Sequence, residues 1–237
     1  MWGLVDDDRR ARGDLVGPRS YCTSCSAPIA RRHLVPVLGY LLLRGRCAAC
    51  GATIPIRYPL VELLGAAAAA ATVLVMGFGL SALLAAMFLW CLIALAAIDA
   101  ETGYLPDALT LPLIAFGLAA NIGGRFAPLP DALIGAAAGY AALTLLRLAY
   151  AALRGREGLG QGDAKLLAAI GAWAGWQMLP AAVFAAAAAS LAVIVSMRIA
   201  GRRFAPDMPV PFGPGLCFGG GAALLAVAAW GQPYAAL

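Results

Sequence analysis

The stretch Leu80-Ser-Ala-Leu-Leu-Ala-Ala-Met-Phe-Leu-Trp90-Cys-Leu-Ile-Ala-Leu-Ala-Ala-Ile98-Asp99 decides the fold class. It runs from Leu80 to Ile98 without a charge and then meets a carboxylate. A hydrocarbon core takes roughly 20 apolar residues of helix, with a range of about 17–25, so this stretch reads as a membrane span. The rest of the chain repeats the pattern. It is 62% hydrophobic and only 12% charged, with a mean hydropathy of +0.84, where soluble domains carry about 25% charged residues. Further candidate spans are 59–79, 108–123, 131–152, 163–179, 181–199 and 212–231, separated by Gly77-Phe-Gly79, Gly123-Gly124-Arg125, Arg154-Gly155-Arg156, Leu179-Pro180 and Gly201-Arg202-Arg203. The expected fold is an all-α polytopic membrane protein of about seven transmembrane helices. The Ala-rich runs Ala66–Ala71 and Ala185–Ala189 are expected to let helices approach closely.

The basic residues orient the bundle, because Lys and Arg concentrate in cytoplasmic loops. Arginines 9, 10, 12, 19, 31, 32, 44, 46 and 57 precede the first span. Arg147, Arg154, Arg156 and Lys165 surround the loop between the fourth and fifth spans, and Arg198, Arg202 and Arg203 follow the sixth. Only Arg125 falls on the opposite face. The amino terminus is therefore expected in the cytoplasm and the carboxy terminus outside. The first twenty residues hold no apolar run of signal-peptide length, so no cleaved leader is expected. The net charge of +5 follows from this loop pattern, and no nucleic-acid partner is expected.

Ahead of the first span lie Cys22-Thr-Ser-Cys25 and Cys47-Ala-Ala-Cys50. Two such pairs can supply four thiolates to a tetrahedral metal, and about 15–20 intervening residues is the usual zinc spacing. The gap from Ser26 to Arg46 is slightly longer but reachable. Disulfides are rare on the cytoplasmic side, so a small zinc-ribbon-like domain with a structural Zn2+ on Cys22, Cys25, Cys47 and Cys50 is expected. Four protein ligands leave no open coordination position for water. Cys91 and Cys217 lie inside spans and read as small apolar residues. His33 is the only histidine, which excludes a second histidine-based site and any His-dependent triad in the bundle.

Two carboxylates stand out in an apolar chain with only twelve acidic residues: Asp99, and Asp163 in Gly160-Gln161-Gly162-Asp163-Ala-Lys165. Charge at membrane depth is costly and marks function by default. Two crossings separate the pair, which returns both to the same cytoplasmic side. Carboxylates that share a site cannot both ionise cheaply, and a shared proton is the hardware of an aspartic protease. The glycines around Gly160 and Gly162 allow sharp turning and close approach to an extended peptide. Plainer readings compete. Asp163, Asp107 and Asp131 can each serve as helix caps, and Asp99 can be an interfacial carboxylate at a helix end.

The string Gly158-Leu-Gly-Gln-Gly-Asp163-Ala-Lys165-Leu-Leu-Ala-Ala-Ile-Gly-Ala-Trp173 fits the GxGD motif of intramembrane aspartyl proteases and closely resembles the bacterial prepilin leader peptidases. So do Ile98-Asp99-Ala-Glu-Thr-Gly-Tyr-Leu105-Pro106-Asp107, Leu43-Arg44-Gly45-Arg46-Cys47, Arg57-Tyr58-Pro59-Leu-Val-Glu62 and Pro211-Phe212-Gly213-Pro214. The resemblance implies cleavage of type IV prepilins or type II secretion pseudopilins, after a glycine and before the substrate's hydrophobic helix, at the cytoplasmic face of the inner membrane. It makes Asp99 and Asp163 the catalytic pair, Asp107 being the competing choice for the first place although its Leu-Pro-Asp-Ala context reads better as a cap, with Gly160, Gly162, Lys165 and Glu62 as active-site residues. It also implies N-methylation of the new amino terminus from S-adenosylmethionine, an activity associated with the cysteine region. Family members usually carry a membrane helix ahead of the first Cys pair, whereas residues 1–17 here are polar. The expected organisation is a polar segment 1–17, a zinc-knuckle region 18–58 and a peptidase bundle 59–237. Two other classes compete: a proton-coupled transporter, for which no inverted repeat is evident, and a non-catalytic zinc-bearing assembly protein.

Overall fold

The computed structural model describes residues 20–155, 160–201 and 212–230. Expectations placed on the polar segment 1–17, on Pro18 and Arg19, on Arg156 and Gly158, on Arg202 and Arg203, and on Pro211 lie outside the described residues. The chain divides between Leu63 and Leu64 into two compact units.

In the amino-terminal unit the two cysteine pairs sit on matching turns. Tyr21 bridges Pro28 and Arg46 bridges Thr53, each as one isolated antiparallel bridge. Inside the first turn, the N–H of Cys22 donates to the Ala27 carbonyl and that of Ser26 to the Cys22 carbonyl, both at 2.9 Å. In the second, Cys47 donates to Ala52 at 2.8 Å and Gly51 to Cys47 at 2.9 Å. Ser26 (φ 57°) and Gly51 (φ 71°) hold the equivalent left-handed position that reverses each chain. A short helix, α1 (Leu38–Leu42), lies between the turns.

Seven longer helices follow: α2 (Arg57–Met76), α3 (Leu80–Thr102), α4 (Asp107–Ala120), α5 (Leu129–Arg154), α6 (Gln161–Ala174), α7 (Leu179–Ile199) and α8 (Gly213–Trp230). They match the seven expected spans in order. Five are long and apolar enough to cross a membrane. The helices α4 and α6 have 14 residues each, about 21 Å at 1.5 Å per residue, and so fall short of the expected spans 108–123 and 163–179. For α6 the reason is its position. Residues 166–174 are all buried, enclosed by α4, α5 and α8, and a helix walled in by protein need not match the lipid thickness.

Glycine sets the spacing around this central helix. A Cβ on Gly135 or on Gly171 would run into the other residue's backbone, so α5 and α6 touch main chain to main chain. In the same way Gly219 of α8 lies on the Ala182 carbonyl of α7. The close contacts therefore come from glycine, from Ala182 and from Ala186 of the expected Ala185–Ala189 run. They do not come from the Ala66–Ala71 run, which lies on the largely exposed α2.

At the far end of α6, Trp173 packs on Phe88 and Phe126, with ring centroids 4.8 and 5.6 Å away, and its Nε1–H donates to the Leu113 carbonyl at 2.8 Å. Asn121 is fully buried beside it. Its amide nitrogen donates to the carbonyls of Ala172 (2.9 Å) and Trp173 (3.1 Å), and its Oδ1 accepts from the N–H groups of Phe126 (2.9 Å) and Ala127 (3.0 Å). All four hydrogen-bonding positions of the amide are used, which makes burial tolerable.

Candidate functional site

Asp99 lies in the last turn of α3. The helix ends because Gly103 adopts φ 65° and its N–H caps the Asp99 carbonyl at 2.8 Å, the left-handed stop that glycine supplies without steric cost. The side chain is 7% exposed, and Gly213, the first residue of α8, lies so close that a Cβ there would overlap the carboxylate. Oδ2 of Asp99 has no hydrogen-bond partner. That oxygen is open to a water or a substrate group.

Asp163 is the third residue of α6. Gly160 occupies the N-cap position, so Asp163 is not the cap that its sequence context allowed. Its carboxylate turns back toward Gly160, whose Cβ position would lie 3.3 Å from Oδ2. Asp163 is 8% exposed and within electrostatic range of Asp99. Cys217, one turn into α8 from Gly213, is buried within range of both carboxylates. The two aspartates thus meet at one end of the bundle, where α3 ends and α6 and α8 begin.

The neighbours named from the sequence fall as follows. Gly162 packs directly on Leu105, whose Cβ would be 2.7 Å from a Cβ at Gly162. Lys165 Nζ donates to both carboxylate oxygens of Asp107, at 2.6 and 2.7 Å. Asp107 is the first residue of α4 and Asp131 the third of α5, while Pro106 and Pro128 hold the cap positions. Asp131 accepts from Trp176 Nε1 (3.2 Å) and Gln177 Nε2 (2.9 Å). Neither aspartate is a cap, although each is a favourable acid in a first turn.

Glu62 belongs to the amino-terminal unit. It lies in the second turn of α2, and its carboxylate accepts the Val37 N–H at 2.7 Å. Val37 sits at φ 62°, ψ −47°, with the Leu38 N–H donating to the Pro36 carbonyl at 2.6 Å. This is the rarer, strained form of γ-turn, here at a β-branched residue. Sequence reasoning missed this turn, and a Val after Pro gives no signal of it. Asn121 was missed too; its one signal was an amide beside Gly123-Gly124 in an apolar run.

The four cysteine sulfurs lie within 4.8 Å of one another, with Cys22 and Cys50 at 3.9 Å. Zinc–thiolate bonds of about 2.3 Å in a tetrahedron put sulfurs roughly 3.8 Å apart, so the four can hold a metal ion. The N–H groups of Ser24 and Ala49 point at Cys22 and Cys47 Sγ, each at 3.4 Å. The Ser24 and Cys25 backbone hydrogen bonds lower the Cys22 thiol to about 6, and those from Cys50 and Ala49 lower Cys47. Cys50 is pushed up to about 11: its bond from Ala52 lowers it, but Cys25, partial desolvation, Cys47 and Cys22 together outweigh that. Four sulfurs this close can share one cation.

The type IV leader peptidase family matches residues 86–195, and the bacterial A24 peptidase N-terminal domain matches residues 8–76. A prepilin leader peptidase/N-methyltransferase of Burkholderia pseudomallei (strain 1026b) is 46% identical over 231 residues, covering 97% of this chain and 73% of that protein. Proteins of the same name from Neisseria gonorrhoeae (44% over 218 residues; 92% of this chain, 74% of that protein) and Pseudomonas aeruginosa (40% over 231 residues; 97% and 78%) are also similar. No solved structure matches the chain. With its apolar helices and these relatives, the chain belongs to the type IV leader peptidase family and is a multi-pass protein of the inner membrane.

Proposed function

We propose that this chain is an aspartyl endopeptidase that removes the leader of type IV prepilins or type II secretion pseudopilins. Asp99 and Asp163 are its catalytic pair. The observation that carries this is the burial of both carboxylates at one helix junction, within electrostatic range, with one oxygen of Asp99 unpartnered. The pair shares one proton. The ionised member takes a proton from a water held between the two, and the protonated member donates to the scissile carbonyl oxygen. Water oxygen adds to the carbonyl carbon, the C–N bond breaks, and the departing amine takes up a proton. Gly160 keeps a side chain away from the carboxylate of Asp163, so an extended leader segment can approach.

The amino terminus is placed in the cytoplasm and the carboxy terminus in the periplasm, because sixteen of the seventeen basic residues fall on one face in that orientation. The Cys22, Cys25, Cys47 and Cys50 site takes a structural Zn2+: its four protein sulfurs close the coordination shell. Region 18–58 is assigned to the second reaction, N-methylation of the freed amine, for which S-adenosylmethionine supplies an electrophilic methyl group.

The test mixes the purified protein with a tagged prepilin in detergent and follows leader release and product mass. Release of the leader, and a further gain of one methyl only when S-adenosylmethionine is present, is the expected result. Release without the methyl would leave a peptidase alone, and no release would sink the assignment.

A further inference from the structure

The carboxylates come from different helices, so something must fix one against the other. The chain leaving Asp99 turns at Gly103, stabilised by the Thr102 hydroxyl, which donates to the Ile98 carbonyl at 2.8 Å and accepts the Tyr104 N–H at 3.2 Å. Two and four residues after Gly103 this segment is fastened to the helix that carries Asp163. Leu105, 4% exposed, fills the space that Gly162 leaves empty. Asp107 receives both bonds from Lys165. The two attachments flank Asp163 in sequence, one residue before it and two after. They reach it from the segment that directly continues the helix of Asp99.

We infer that the Lys165–Asp107 ion pair is a positioning device for the peptidase reaction, clamping the start of α6 to the 103–107 connector and thereby setting the separation of Asp99 and Asp163. This rests on the aspartyl-peptidase assignment above. Lys165 is then a positioning residue acting through Asp163, without touching the substrate. Several facts favour this over a free cation awaiting the leader. Lys165 is only 19% exposed, and its ammonium already holds both oxygens of one carboxylate in the protein. The geometry is that of the stronger, charge-assisted bonds, shorter than neutral ones. The pair also lies next to a steric contact, Leu105 on Gly162, that removes freedom in the same direction. A misplacement of about 1 Å at reacting groups can cost about 100-fold in rate, so a clamp of this kind shows in turnover more than in binding.

The test is a cycle of Lys165→Met, Asp107→Asn and the double variant, with Lys165→Arg, Asp163→Asn and the unaltered protein alongside. Each is assayed for prepilin cleavage in detergent and for thermal unfolding. The expected result is a kcat fall of about 10- to 100-fold in either single variant with KM within about twofold. The double variant should be no worse than the singles, because neighbours acting through one bond are non-additive. Lys165→Arg, which can bridge the same carboxylate, should recover most of the rate. Wild-type kcat in Lys165→Met or Asp107→Asn overturns the clamp. So does a KM rise confined to the Lys165 variants, since that means direct substrate contact. A rate loss that only tracks a lowered unfolding temperature, without recovery in Lys165→Arg, also overturns it. If Asp163→Asn cleaves like the unaltered protein, the catalytic assignment itself fails and the clamp falls with it, whereas a dead Asp163→Asn beside active clamp variants removes the clamp alone.

Discussion

The two units of this chain are ordered by opposite means. Between residues 20 and 63 there are two isolated bridges, one short helix and many exposed apolar side chains, and the turns are brought together at four sulfurs. Beyond Leu64 the order comes from helices at backbone contact, with Gly135 against Gly171 and Asn121 saturated by four hydrogen bonds. Among the described residues, the buried polar side chains all lie in the second unit, where Asp99 and Asp163 stand out beside Thr72, Thr110 and Asn121. A unit with so little core gains most from a cross-link, and a metal shared by the four sulfurs would supply one. A glycine-packed bundle can instead hold two costly carboxylates in place.

The largest effect should come from taking away the sulfur site. Structural zinc contributes about 10–16 kcal/mol of apparent binding free energy in small metal-dependent folds. The unaltered protein is expected to retain one metal ion per chain by elemental analysis, and Cys22→Ser or Cys47→Ser to abolish that retention while the helical circular dichroism of the bundle persists. Loss of helical signal to the same extent would deny that the two units are ordered separately. The site should also respond to acid. A thiol held down to about 6 at Cys22 keeps its sulfur available as thiolate above that pH. Metal affinity is expected to begin falling as pH drops below about 6, where protons compete for this ligand, with release at lower pH still. An affinity that does not change between about pH 7 and pH 4 would contradict the arrangement.

In the bundle, Asn121→Ala leaves the Phe126 and Ala127 N–H groups without their acceptor, at about 1–3 kcal/mol per buried group. A roughly 2–4 kcal/mol loss in detergent unfolding is expected, and an unchanged midpoint would show that the amide is not a staple. Gly117→Ala would press a methyl on Trp173, costing about 1–3 kcal/mol as overpacked cores do. The smallest change should be a gain. Val37→Gly relieves a positive φ at a β-branched residue, and strained positions of this sort cost about 1–3 kcal/mol. Part of that gain is lost to the extra freedom of glycine in the unfolded chain. A slight rise in the stability of the cysteine unit is expected, and a fall would mean that the turn is not strained.

The seven helices were legible because apolar length alone marks them, and Pro and Gly mark their ends. The cysteine site was legible from its spacing. The centre of the bundle was not. Hydropathy cannot distinguish a helix that faces lipid from one that faces other helices, so α6 reads as a span although only 14 residues long. Nor can it tell which small residues meet: of the two alanine runs only Ala185–Ala189 does, through Ala186, while Gly135, Gly171 and Gly219 make further contacts. Asp107 read as a cap because a carboxylate after Pro fits that pattern equally well. Its partner Lys165 is 58 residues away, beyond any local rule.

The central claim is that Asp99 and Asp163 work as one unit. The most direct measurement is single-turnover cleavage of a tagged prepilin by Asp99→Asn, Asp163→Asn and the double variant, each checked for metal content and unfolding temperature. Each single variant is expected to lose about 10²- to 10⁴-fold, the usual worth of acid–base catalysis, and the double variant no more than either single. Cleavage at the unaltered rate by either single variant, or losses that multiply in the double, would contradict the account.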